Sequence, residues 1–471
     1  MRPLLLVLIG VAPLVTAACA TVPPVPLVPE RTAAAWRART LDDPALRAYA
    51  GEALGSTAPW PPATWDGRSL TVAALWFSPE MDVALARAHA AGAAIRTAGR
   101  LPNPTFGLTP LRVTNAKPDV TPWTISASLV GLIGVAGKRE HRLALAEAGA
   151  EEARLEAVAT AGAAEAAVRS ALVAVAAARR RAALLADQSR VQGELAGIAE
   201  KRLAAGIASR VELTAARTAF ARSEADRLAA EREAADARYR LAAAVSLPVE
   251  ALPFDRIGAP AELDDAAEKS FHALAGRARE AAVLGRADLM AALASYAAAE
   301  AALRLELAKQ YPDIELGPSY EYDQGDQKVG LTLNVVLPVF DRNQGPIAEA
   351  KAKREEAGAR FLALQEGAIA GAERAIASLR QAETGLATAR RLAAEQRSRV
   401  RSAEALYRRG ESDRLALLAS RAELATAELV ESDAVRARAE ARLALEKAAG
   451  EAGAGLDLGR AVAAKAAGGA P

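Results

Sequence analysis

The chain has one cysteine, three histidines and three methionines in 471 residues. That inventory excludes an intrachain disulfide and leaves no cluster of thiolate or imidazole groups from which a metal centre is usually built. Aromatic residues amount to 4%, so large rings cannot fill the interior. Charge of one sign is missing too: 59 Lys and Arg against 57 Asp and Glu leave +2, whereas a nucleic-acid binder usually carries a clear basic excess. No Ser/His/Asp arrangement stands out, and Glu151-Glu152 and Glu355-Glu356 fall on helical faces rather than forming an acid–base pair. Neither catalytic residues nor a cofactor is therefore expected. What remains is Ala, Leu, Glu and Arg, the composition of long helices packed through small side chains.

One stretch invites a nucleotide reading. "SASLVGLIGVAGKREH", from Ser126, runs strand, glycines (Gly131, Gly134, Gly137), lysine, helix. A P-loop needs G-x-x-x-x-G-K-[ST] so that backbone N–H groups wrap the phosphates. Here Leu132 occupies the first glycine position and Arg139 the hydroxyl position, and no G-x-G-x-x-G is present.

The N-terminus reads as a targeting segment. Arg2 precedes "LLLVLIGVAPLV", an apolar run too short for a typical span. "TAAC" then ends in Cys19 and resembles a bacterial lipobox, with Thr16 where Leu or Val is usual. This predicts a signal peptide over 1–18 and an acyl anchor on Cys19. Ala20 follows in place of Asp, which in such lipoproteins means sorting to the outer membrane. A lipid-anchored linker over 19–68 includes the Pro-rich tether "TVPPVPLVPE".

The rest repeats itself. "GRLPNPTFGL" corresponds to "AKQYPDIELG", Pro102 to Pro312 being 312 − 102 = 210 positions; "FSPEM" to "GRADL"; "AAGIASRVEL" to "RRGESDRLAL", Gly206 to Gly410 being 410 − 206 = 204. The expected units are residues 69–250 and 275–450, joined by a linker over 251–274 and followed by a flexible C-terminal tail over 451–471. Each unit should contain a helix (about 69–100 and 275–309), a β-hairpin, a very long helix (about 140–203 and 346–408), a glycine break and a helix half as long (about 211–245 and 415–449).

The strands alternate with period 2. Ile314, Leu316, Pro318, Tyr320 and Tyr322 share one face, and Glu315, Gly317, Ser319 and Glu321 the other; Val329, Leu331, Leu333 and Val335 oppose Lys328, Gly330, Thr332 and Asn334. Strands of about ten residues suit an oblique bilayer crossing. Four cannot close a barrel, and an open sheet edge is not tolerated in lipid, so membrane strands here require an oligomer. A polar inner face then implies a channel, continued by the helices.

At this point the chain resembles the TolC-like outer-membrane factor family, through "LPVFDRNQGPIAEAKAKREEA" from Leu337 and "RADLMAALASYAAAEAALRLELAKQYPDIELGPSY" from Arg286 in particular. These segments are similar to its cobalt–zinc–cadmium and drug efflux lipoprotein branches. The resemblance, over about residues 69–450, implies a mainly α fold with a small membrane β-barrel contribution. Three chains would supply twelve strands, continued by a periplasmic α-helical barrel. It implies a passive duct of a tripartite efflux system exporting small toxic solutes such as drugs or metal ions. The partners implied are a periplasmic adaptor protein, an inner-membrane transporter of the resistance-nodulation-division type and outer-membrane lipid.

The family's entrance is a ring of helix tips, which places Gly206, Arg210, Glu212, Tyr407, Gly410, Glu411, Asp413 and Arg414 at the gate and adaptor contact. The positions of the family's cation-binding acids hold Ala416 and Ala419 here, so a strong acid ring is not expected. Trp123, Tyr320 and Tyr322 are candidates for an aromatic girdle. Gly131, Gly134, Gly137, Pro338, Gly345 and Pro346 fall at the strand-to-helix joints, with Lys138 and Arg139 near lipid headgroups or in an inter-helix ion pair. Three other readings stay open: a lipid-anchored periplasmic coiled-coil scaffold or adaptor, the outer-membrane duct of a type I protein secretion system, and a nucleotide-using enzyme resting on Lys138.

Overall fold

A computed structural model describes residues 22–55, 59–117, 119–451 and 456–468. The expected signal peptide, the lipobox-like segment and Cys19 lie outside the described residues. The chain divides into two units, Met1–Thr40 and Leu41–Pro471. The first carries helix α1 (Pro29–Arg37); everything below concerns the second.

After α2 (Pro44–Leu54), the first repeat runs α3 (Gly67–Phe77), α4 (Pro79–Ala98), β1 (Thr105–Arg112), β2 (Trp123–Ile133), α5 (Lys138–Ala204) and α6 (Arg210–Val245). The second runs α7 (Glu268–Leu284), α8 (Ala287–Ala308), β3 (Ile314–Asp323), β4 (Asp326–Val335), α9 (Gln344–Arg408) and α10 (Arg414–Ala449), and α11 (Leu458–Gly468) ends the chain. The 67 residues of α5 and 65 of α9 make each about 100 Å long at 1.5 Å per residue. Neither helix has a proline beyond its first turn, and their alanines let neighbours approach closely.

Each pre-strand helix, expected as one run, is in fact two. Pro79 has no N–H to continue α3, and Ser78 instead caps α4 by accepting from the Met81 N–H at 3.2 Å. In the second repeat the break falls at Gly285 and the extended Arg286.

The four strands form one antiparallel sheet in the order β1-β2-β3-β4. The middle seam joins the repeats, pairing Thr124 with Asp323 and Ile133 with Ile314. The β3–β4 turn is two residues, Gln324 and Gly325, both at positive φ, the backbone that suits a tight hairpin. At Gly317 a Cβ would overlap the Leu129 carbonyl of β2, so this close approach of the repeats admits glycine alone.

Helix α5 packs on α3, α4 and α6 of its own repeat and also on α8 and α10 of the other; α9 packs on α7, α8 and α10. Two cores result. One gathers Leu46, Trp65, Leu70, Leu75, Leu172, Leu241, Leu247 and Val462; the other is smaller and alanine-rich, around Phe271, Ala278, Leu379 and Leu445.

Two boundary expectations need correction. Residues 451–471 are not simply a flexible tail: α11 docks with Ala461 and Val462 in the larger core, and the Lys465 ammonium is buried, donating to the carbonyls of Leu75 at 2.7 Å and Trp76 at 2.9 Å. Nor are 19–68 and 251–274 plain linkers. Leu46, Tyr49 and Trp65 are core residues, and Glu262, between the repeats, is buried. Burial of these side chains offsets the entropy of ordering the segments.

Candidate functional site

The sheet has two chemically distinct faces. The register sets Phe106 opposite Leu129, Tyr320 opposite Val329, Pro318 opposite Leu331, Leu316 opposite Leu333 and Ile314 opposite Val335. Phe106, Leu108, Trp123, Leu129, Ile133, Tyr320, Val329, Leu331, Leu333 and Val335 on this face are all exposed. Trp123, Tyr320 and Tyr322 gather at its hairpin end, the Tyr322 hydroxyl lying 2.9 Å from Thr121 Oγ1.

Side chains on the opposite face hydrogen-bond across strands. Thr124 Oγ1 donates to Asp323 at 2.9 Å, Ser126 Oγ to Glu321 at 3.2 Å, Lys328 Nζ to Asp323 at 2.7 Å and Asn334 Nδ2 to Glu315 at 3.3 Å. Leu111 of β1 and Val130 and Leu132 of β2 interrupt the polarity of that face.

At the first strand-to-helix joint, Gly137 takes a left-handed φ of 69° and caps α5. Lys138 is buried, with Nζ 2.9 Å from Asp313 Oδ1 at the entry to β3, and the same oxygen accepts from the Val135 N–H at 3.3 Å. Arg139 Nε donates to the Gly99 carbonyl at the end of α4, at 2.8 Å. Both cations thus fasten the joint, and no phosphate-binding role is left to Lys138. Gly131 lies within β2 opposite Leu316, and Gly134 lies beside Asp313.

At the second joint the left-handed residue is Asn343, φ 65°, at 343 − 137 = 206 positions from Gly137. Its side-chain amide reaches both the Glu306 carbonyl and carboxylate at 2.8 Å. Gly345 and Pro346 sit inside the first turn of α9, and Pro338 in the extended lead to it. Asn343 was readable: asparagine tolerates left-handed backbone best after glycine.

The two tips are alike. Gly206 and Gly410 adopt φ of 75° and 74°. In each, the following N–H reaches back to close the helix: Ile207 to the Arg202 carbonyl at 2.9 Å, Glu411 to that of Leu406 at 3.0 Å. Ser209 and Asp413 then cap the returning helices, accepting from the Glu212 and Ala416 N–H groups. Arg210 and Glu212 are exposed in the first turn of α6. Glu411 pairs with Arg409 at 3.2 Å. Among the described residues the Tyr407 hydroxyl makes no hydrogen bond. Behind the tips one ion pair occurs twice, Glu200 with Arg217 and Glu404 with Arg421, each partner shifted by 404 − 200 = 204 positions.

A ladder of ion pairs ties α5 of one repeat to α10 of the other. Glu194 meets Arg414 at 2.7 Å, Arg181 meets Asp433 at 2.9 Å, and Arg169 meets Glu446 at 2.5 Å, progressing from the exposed tip to the buried middle. The Arg414 guanidinium holds the Glu194 carboxyl below its ordinary range. Sequence reasoning found Arg414 but none of its partners, because periodicity does not tell which helix is the neighbour. Among the described residues no group of three or more His, Cys, Asp or Glu side chains is arranged to hold a metal ion.

Several solved outer-membrane proteins share this fold. VceC of Vibrio cholerae matches with a TM-score of 0.64 at 20% identity, over 83% of this chain and 99% of that one. CmeC of Campylobacter jejuni matches with 0.64 at 14%, over 82% and 85%. The open state of MtrE of Neisseria gonorrhoeae matches with 0.62 at 18%, over 83% and 90%. Among curated proteins none matches the chain in sequence. The outer membrane efflux protein family model, however, matches residues 70–246 and 278–451, one segment per repeat. Two hairpins sharing one amphipathic sheet, two long helices and two matching tips account for that double match, and the chain belongs to the outer membrane efflux protein family.

Proposed function

We propose that three copies of this chain close into a passive outer-membrane duct that carries small toxic solutes, drugs or metal ions, out of the cell. The observation that carries this reading is the sheet, with one face mainly apolar and largely exposed apart from Arg112 and Gln327 at the hairpin ends, the other mainly polar and cross-bonded, and the outer edges of β1 and β4 unpaired among the described residues. Apolar residues toward lipid and polar residues toward water is the pattern of a membrane barrel, and open edges must be closed by another chain.

The helices support the same closure. Helix α5 is embraced by α8 and α10 of the second repeat, but α9 has no comparable packing on α4 or α6. Leu362, Ile369 and Leu392 stay exposed on α9, as do Val211, Leu228 and Tyr239 on α6. A neighbouring copy repeats the α5 arrangement if its α4 and α6 lie on this α9, and such a head-to-tail contact closes into a ring.

The tips around Gly206 and Gly410, with Arg210, Glu212, Tyr407, Glu411, Asp413 and Arg414, form the entrance and meet a periplasmic adaptor, itself joined to an inner-membrane transporter. Cys19 carries the acyl anchor. The duct does no chemistry on its cargo. Purified protein in planar bilayers is expected to give single-channel conductance and to run as a trimer in detergent. A silent bilayer together with a monomer overturns the reading. Cys19→Ser is expected to abolish acyl labelling, and unchanged labelling removes that cysteine as the anchor.

A further inference from the structure

The charges around Arg169 are unlike those of a duct wall, because water does not reach them. Glu165 and Arg169 of α5, Glu262 of the turn between repeats and Glu446 of α10 are all buried. Arg169 Nη2 lies 2.6 Å from Glu262 Oε1 and 2.5 Å from Glu446 Oε2, and Nη1 lies 3.7 Å from Glu165. Three carboxylates from three segments thus surround one guanidinium.

The remaining neighbours do not remove the excess. Arg442, fully buried one turn before Glu446, gives Nη1 to the carbonyl oxygens of Glu262 at 2.9 Å and Asp264 at 2.7 Å and lies over the Phe271 ring. Arg438 of α10 and Arg390 of α9 both hold the Asp265 carboxylate. On α7, Glu268 opens the helix, and His272 pairs with Glu383 of α9 at 3.2 Å. On the α3 side the uncharged Gly67, flanked by Asp66 and Arg68, faces Arg169, since a Cβ there would lie 3.5 Å from the Arg169 Cγ. Three buried carboxylates thus meet the single guanidinium of Arg169, while the other two buried arginines are turned elsewhere, Arg442 to backbone carbonyls and Arg438 to Asp265 and the Leu263 carbonyl. In a desolvated site the least costly remedy is one bound proton.

We propose that this cluster is a proton-operated clamp: with one proton bound it holds the inter-repeat turn against α5 and α10, and on losing the proton it loosens that hold. Glu446 is the carboxyl placed to carry the proton. Burial, reinforced by Glu262 and Glu165, pushes it up to about 7 from an ordinary 4.5, against the pull of Arg169. The folded chain therefore binds this proton more tightly than the unfolded chain. The stabilisation is complete below about 4.5 and fades as pH rises through about 7. Acidification of the surrounding compartment tightens the join between the repeats, and mild alkali relaxes it.

Thermal unfolding of the full chain in detergent at pH 5.5 and pH 8, with hydrogen exchange over residues 261–268, tests this. The wild-type midpoint is expected to fall from the lower to the higher pH, and exchange of the turn to quicken by about tenfold beyond its intrinsic pH dependence. Glu446→Gln, which mimics the protonated carboxyl, should remove both changes while matching or exceeding the wild-type midpoint at pH 8. Glu262→Gln relieves the same excess by another route and should move the transition to lower pH. A Glu446→Gln protein with the wild-type pH profile overturns the clamp, and so does an unmoved transition in Glu262→Gln.

Discussion

Leu241 and Leu445 stand at the same place in the two repeats, 445 − 241 = 204 positions apart, and both are fully buried. The next residue is Ala242 in the first repeat and Glu446 in the second. Ala242 belongs to the large apolar core, where α3 packs on the end of α6. Glu446 faces Arg169 across the inter-repeat contact. Duplication copied the backbone, and the neighbours then chose the side chains. The tips tell the complementary story, since little packs on them and the two copies keep the same glycine, the same helix closure and the same ion pair.

Exchanging the differing residues should break this comparison most severely. Ala242→Glu buries a carboxylate with no guanidinium to meet it, and a loss of about 3–5 kcal/mol is expected, read as a large drop in thermal midpoint or a failure to assemble. Truncating the matched leucines comes next, at about 2–4 kcal/mol each. Leu241→Ala should cost more than Leu445→Ala, because Leu70, Leu247 and Trp65 fix the walls of its site, whereas helices meeting through Ala278, Ala282 and Ala375 can slide together. The reverse order would show that the alanine-rich core is the stiffer one.

Smaller effects sharpen the likeness of the tips. Gly206→Ala and Gly410→Ala should each cost about 1 kcal/mol, since both force a Cβ into left-handed backbone. Costs differing more than twofold in helix-unfolding measurements would end the equivalence. Smallest of all, Glu200→Gln and Glu404→Gln should cost about 0.5 kcal/mol or less. Glu404 should show the larger effect and the weaker salt dependence, because its pair with Arg421 is the less exposed.

Much of this architecture was legible because it is periodic. Period 2 in Ile314–Tyr322 and Val329–Val335 set both faces of the second hairpin, and Gly206 and Gly410 marked the tips. The break at Ser78 was missed because Pro79 begins a helix as readily as it ends one. The docking of α11 was missed because a short alanine-rich segment carries its signal in its neighbours, where Lys465 finds the carbonyls closing α3. The Lys138–Asp313 and Arg169–Glu446 pairs, 313 − 138 = 175 and 446 − 169 = 277 residues apart, depend on which elements become adjacent. A single sequence holds no local trace of that.

The seam at Gly317 also sets an order of events in time. Within each repeat the hairpin strands are near neighbours in the chain, but β2 and β3 pair residues such as Thr124 and Asp323, 323 − 124 = 199 positions apart. Loop-closure entropy delays such a distant pairing until α5 and α6 have formed and shortened the path. Until then the first hairpin is a two-stranded ribbon with an exposed apolar face, marginal in water. A growing chain therefore carries an adhesive surface from the completion of β2 until β3 has been made. A fragment ending after Val245 is expected to aggregate unless a chaperone or detergent covers that ribbon.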